Sequence, residues 1–169
     1  MRQGICYWVL ILAVEPIGTR FKLNNQNLFT SMVKNFEMIP TLKLNKVHHI
    51  AVICSNYETS KKFYTEILDL EIVKETFRVA RNSYKLDLKV NDTYQIELFS
   101  FPDPSARPSR PEACGLRHLA FEVDDIEAAI KIVNAKGVTT EPIRIDELTG
   151  KRFTFFADPD DLPLEFYEK

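Results

Sequence analysis

Leu116-Arg117-His118-Leu119-Ala120-Phe121 restates an earlier stretch of the chain, Val47-His48-His49-Ile50-Ala51-Val52, with one histidine in the same place. Each stretch is followed by a glutamate set among apolar residues. The first glutamate lies in Gln95-Ile96-Glu97-Leu98-Phe99 and the second in Pro163-Leu164-Glu165-Phe166-Tyr167. The His49–Glu97 and His118–Glu165 separations differ by a single residue. Placing His49 on His118 also places Ala51 on Ala120, Glu58 on Glu127 and Lys62 on Lys131. Matches in register over two stretches of this length indicate a tandem repeat.

The surrounding residues carry the same order of elements twice. Lys46 to Cys54 is a β-branched and apolar run that predicts a strand. Ser55-Asn56 can cap a helix over Tyr57 to Leu68, whose apolar residues recur near helical spacing. Glu71–Thr76, Tyr84–Val90 and Tyr94–Ser100 predict three strands, with Asn91-Asp92 as a tight turn between the last two. Four prolines between Pro102 and Pro111 then interrupt regular structure. The order restarts with a strand over Arg117–Val123 and a helix over Ile126–Lys136, capped by Asp124-Asp125 and stopped at Gly137. Pro142–Ile145, Phe153–Asp158 and Leu164–Glu168 supply strands, with Asp158-Pro159-Asp160-Asp161 as a turn. The chain thus divides into an extension (1–42), a first βαβββ module (43–101), a Pro-rich linker (102–114) and a second βαβββ module (115–169). The fold class is α+β.

Composition narrows the function classes. With 169 residues, 45% hydrophobic content and 27% charge, the chain can bury a real core. A net charge of −2 points neither to nucleic acid nor to an anionic membrane. Cys6, Cys54 and Cys114 are odd in number and lack CxxC spacing, as expected of reduced thiols in a cytoplasmic protein. Ile5 to Val14 is apolar but too short to span a bilayer. No small-x-small cleavage pattern follows it, so residues 1–37 are read as an extension outside the fold, consistent with an upstream start codon, rather than as an export signal.

The repeat also defines a candidate site. Side chains alternate along a strand, so His49, Ala51 and Ile53 share one face, and Glu97 shares a face with Gln95 and Phe99. A single histidine in an apolar strand is usually a packed core residue, and a single glutamate is usually solvated. Recurrence of both in register favours a common role instead. Two imidazoles and two carboxylates suit one divalent metal ion: zinc or nickel first, with cobalt, manganese or iron also compatible. The candidate ligands are His49, Glu97, His118 and Glu165. His48 points to the opposite face and is read as structural or supporting.

His49-Ile50-Ala51-Val52, Phe63-Tyr64, Ile96-Glu97-Leu98, Gly115 to Val123, and Asp158-Pro159-Asp160 with Leu164-Glu165 together resemble the vicinal oxygen chelate superfamily, in particular its small glyoxalase I-like (lactoylglutathione lyase-like) bacterial members. The resemblance covers about residues 43–168. It implies paired βαβββ modules whose curved mixed sheets surround a metal cleft, with the four ligands at the residues just named. It also implies a lyase or isomerase that moves a proton through a metal-stabilised enediolate of a small oxygenated substrate, such as an aldehyde–thiol adduct. Glu165 is the first choice for the base and Glu97 the second. Glyoxalase I carries an arginine and an asparagine that help hold glutathione; Ile53 and Phe101 stand at those positions here. Arg78, Arg81, Arg107, Arg110, Arg117 and Arg152 are spare cations for an anionic substrate, Arg117 and Arg152 foremost. The expected partners are a small-molecule substrate and a second copy in a homodimer. Two other readings share the resemblance: an epimerase of the methylmalonyl-CoA type and a non-catalytic drug-binding protein.

Overall fold

A computed structural model describes residues 41–169, within which Asn45–Lys169 forms one compact unit. The reading of residues 1–37 falls outside the described residues. Strand β1 (His49–Cys54) leads into helix α1 (Tyr57–Lys62), followed by β2 (Glu71–Arg78), β3 (Ser83–Lys89) and β4 (Gln95–Ser100). The second module repeats this with β5 (Leu119–Val123), α2 (Ile126–Ala135), β6 (Arg144–Ile145), β7 (Arg152–Ala157) and β8 (Pro163–Glu168).

Each module builds one four-stranded mixed sheet, in the orders β1-β4-β3-β2 and β5-β8-β7-β6. In both, the first strand runs parallel to the last and the other pairs are antiparallel. This is the expected α+β pair of βαβββ modules. Alternation sorts the faces. Val52, Cys54, Leu86, Leu88, Ile96 and Leu98 are buried and pack with Tyr57, Phe63 and Tyr64 from the helical segment. The other face of the first sheet carries His49, Ala51, Ile53, Glu97 and Phe99 and has no helix on it among the described residues.

Local chemistry starts and stops the elements. Asn56 and Asp125 cap α1 and α2, accepting hydrogen bonds from the backbone N–H groups of Thr59 and Ala128, each at 3.0 Å. Gly137, at φ +88°, ends α2 in a conformation that a side chain would resist. Three elements differ from expectation. The first helix passes after Lys62 into a π-helical turn, Phe63–Ile67, which leaves the adjacent Phe63 and Tyr64 both buried, edge to face. Strand β2 extends to Arg78 because Phe77 and Arg78 pair with Tyr84 and Ser83. Strand β6 is only two residues, since Pro142 has no N–H to give a ladder.

The modules are joined through the helices and the β7–β8 turn. Tyr64 Oη donates to Asp158 Oδ2 at 2.9 Å, and the Ser55 backbone N–H donates to Asp160 Oδ2 at 3.0 Å. Lys136 Nζ donates to the carbonyls of Glu66 and Ile67 at 2.7 and 3.1 Å.

Candidate metal centre

The predicted ligands stand on the helix-free faces as two pairs, one per module. His49 opens β1, where Ala51 pairs with Glu97 of the parallel β4. His49 Nε2 lies 3.7 Å from Glu97 Oε2. The other nitrogen, Nδ1, is 2.9 Å from His48 Nδ1, so one ring donates to the other. His48 therefore touches the candidate ligand directly and is exposed. In the second module His118 precedes β5, and its Nε2 lies 3.1 Å from Glu165 Oε2. Glu165 is buried between Leu164 and Phe166.

Two donors that each sit about 2.1 Å from one cation are separated by roughly 3.0 Å at a right angle and 3.6 Å at a trigonal one. Both pairs are near that range. His118 Nδ1, on the far side of the ring from Glu165, is buried without a hydrogen-bond partner among the described residues. The spacing within each pair is compatible with a shared divalent cation. Among the described residues, however, no three His, Cys, Asp or Glu side chains converge on one point. Each module presents half of a four-donor set.

The two carboxylates differ in their surroundings. Glu97 Oε1 accepts a hydrogen bond from Lys85 Nζ at 2.8 Å, and Lys85 also reaches Asp87 Oδ1 at 2.5 Å. Among the described residues, no lysine pairs with Glu165. Burial raises its pKa above the usual carboxylate range, against the opposing pull of His118 and Arg144. A cavity of about 1150 Å³ opens over His118 and Glu165, walled by Arg107, Arg117, Arg144, Phe153 and Phe155. Phe155 meets the His118 ring edge to face, 5.2 Å between centroids, and Arg144 lies over both phenylalanines.

Of the two arginines expected to meet a substrate, Arg117 lines this cavity and Arg152 does not. Arg152 is held by Glu168, at 2.8 and 2.6 Å, and by Glu127 at 2.8 Å. In this structure a bidentate carboxylate partner occupies its donors. Arg144 and Lys85 were missed because strand pairing, rather than sequence proximity, brings them to the site.

Residues 46–166 match the Glyoxalase/Bleomycin resistance protein/Dioxygenase superfamily, to which this chain belongs. The chain is similar to YwkD, an uncharacterised protein of Bacillus subtilis, at 60% identity over 126 residues, covering 75% of this chain and 98% of that one. The crystal structure of a glyoxalase family protein from Enterococcus faecalis matches with a TM-score of 0.70 at 49% identity, covering 74% of this chain and 98% of that one. A 2-epi-5-epi-valiolone epimerase of an Actinomyces species is 29% identical over 140 residues, covering 70% of this chain and 76% of that one. The superfamily contains enzymes such as epimerases and glyoxalase I.

Proposed function

We propose that the protein is a metal-dependent lyase or isomerase of the glyoxalase kind, which moves a proton beside a carbonyl of a small oxygenated substrate. The observation that carries this reading is the pair of His–Glu contacts, at 3.7 and 3.1 Å, in equivalent places of two modules. His49, Glu97, His118 and Glu165 would hold one divalent ion, zinc or nickel first. When bound, that ion supplies Lewis-acid polarisation of a substrate carbonyl oxygen.

The chain's own groups divide the remaining work. Glu165 Oε1, the oxygen not facing His118, takes the proton from the carbon next to the carbonyl and returns it to the neighbouring carbon. Glu97, tied to Lys85, stays in place as a ligand. Phe153 and Phe155 exclude water from one wall, and Arg117 orients an anionic or polar substituent.

Since each module holds half of the donor set, we assign the complete site to a homodimer. Among the described residues, strands β1 and β5 pair on one side only, with β4 and β8. A two-fold arrangement that sets the β1 side of one copy beside the β5 side of the other would form two identical sites. Ile53 and Phe101, where glyoxalase I has polar anchors, favour a substrate other than a glutathione adduct. The two described cysteines, both free thiols, suit the cytoplasm.

Returning the proton to the opposite face of the same carbon would make the enzyme an epimerase; the similarity to the valiolone epimerase favours keeping that reading beside the first. The test is metal analysis of the purified full chain and of His49→Ala and Glu165→Gln, with turnover assays on methylglyoxal adducts of glutathione and other thiols and on acyl-CoA substrates. One metal per chain, lost in both variants, is expected. Metal-free protein after metal loading would overturn the reading. Inactivity on every aldehyde–thiol adduct with epimerisation of an acyl-CoA would select the second.

A further inference from the structure

Arg78 ends β2 on the helix-free face of the first module, and no carboxylate partner neutralises it among the described residues. Its pairing fixes this placement. Arg78 sits opposite Ser83, and Lys85 on the same strand sits opposite Phe99, so Arg78, Ser83, Lys85 and Phe99 share the face that carries Glu97 and His49.

The guanidinium is held flat by three groups. Its carbon lies 4.6 Å from the centroid of the Phe99 ring and 5.3 Å from that of Phe101, and these two rings are themselves stacked. Nε and Nη2 both donate to Ser83 Oγ, at 3.0 and 2.7 Å. Ser83 is buried beneath the arginine. Two of the five N–H donors are thereby used, and the rest meet no acceptor among the described residues. A half-buried cation on an aromatic platform, pinned along one edge and lacking a counter-ion, is preorganised for a planar oxyanion. By contrast, Arg152 and Arg144, at the other sheet, are paired with glutamates.

We propose that Arg78, stacked on Phe99 and Phe101 and tethered to Ser83, is an anion subsite, and that the substrate carries a carboxylate or phosphate which this guanidinium takes. This rests on reading the helix-free face as the substrate side. Phe99 is two residues from Glu97 on β4, so one small molecule can meet both the arginine and the His49–Glu97 pair.

The experiment titrates the full chain calorimetrically with inorganic phosphate and, separately, with malonate, with and without one equivalent of Zn²⁺. Wild type is expected to bind at least one of the two, and the one it prefers names the group. Arg78→Met should weaken binding at least about tenfold. Arg78→Lys, which keeps the charge but not the flat stacked fork, should weaken it several-fold. Lys131→Met, on the exposed side of α2, should leave it unchanged. Wild-type affinity in either Arg78 variant, an equal loss in Lys131→Met, or no binding of either anion by wild type would overturn the proposal. Zn²⁺ affinity, read by chelator competition, is expected to survive Arg78→Met. If Zn²⁺ fails to bind any form while the anion still depends on Arg78, the metal reading falls and the subsite stands.

Discussion

Lys85 lies between two carboxylates that the sheet forces together. Asp87 of β3 is directly opposite Glu97 of β4, and like charges in that position repel. The lysine bridges them at 2.5 and 2.8 Å. Lys85→Met should therefore lower stability at pH 7 by about 0.5–1 kcal/mol. Urea unfolding should show a smaller loss at about 1 M salt, which screens both the carboxylate repulsion and the bridge; a loss that is equal or larger at high salt would contradict this account. The same bridge separates the roles of the two site glutamates, since Glu97 faces His49 with one oxygen and Lys85 with the other, whereas Glu165 faces His118 with Oε2 alone. That distinction was not legible in the sequence. His49, Glu97, His118 and Glu165 could be picked out because they recur in register. Lys85 and Arg144 could not, and Arg78 stood out only as one of six spare cations, because what places each one is the residue across the ladder.

Elements were legible where one local signal dominated. Asn56 and Asp125 marked the two helix starts, and the alternation of Ile96 and Leu98 with Glu97 sorted the faces of β4. Packing overrode local pattern at the π turn, where Phe63 and Tyr64 both enter the core, and pairing overrode it at Arg78, where β2 outlasts its apolar run. The Asp158 turn was read as a turn only, yet it also joins the modules. Asp158 accepts hydrogen bonds from Tyr64 Oη and from the backbone N–H groups of Asp160 and Leu162. Burial, the leading cause, nevertheless raises its pKa above the ordinary aspartate value of 3.8. A raised carboxyl pKa means the folded state binds the proton more tightly than the unfolded state. The contribution of this group to stability is therefore fully present below the unfolded pKa and is lost as pH rises through the folded one. The stability of wild type relative to Asp158→Asn should improve as pH falls from 7 towards 4. Paired denaturation curves check this, and a relative stability that is flat or improves towards pH 7 would refute it.

The assembled molecule poses a question that the repeat could not answer: how two half-sets of ligands come to make one centre. Within the compact unit the His49–Glu97 and His118–Glu165 pairs do not converge, and the helical segments, not the helix-free faces, carry the contacts between modules. Sequence spacing defines which residues are equivalent but not which copy of a module faces which, so this level was illegible. Subunit mixing decides it. Let one chain carry His49→Ala with Glu97→Gln and another His118→Ala with Glu165→Gln. If centres form across a two-fold interface, each variant alone has only half-disabled sites and binds no metal tightly. In a mixed dimer both lesions fall in one site, leaving the other with an intact first half from one chain and an intact second half from the other. Unfolding and refolding the variants together should therefore restore tight Zn²⁺ binding and turnover to the mixed dimers, at one centre per dimer. If the centre formed within a chain, every centre in the mixture would still lack one His–Glu pair, and mixing would restore nothing.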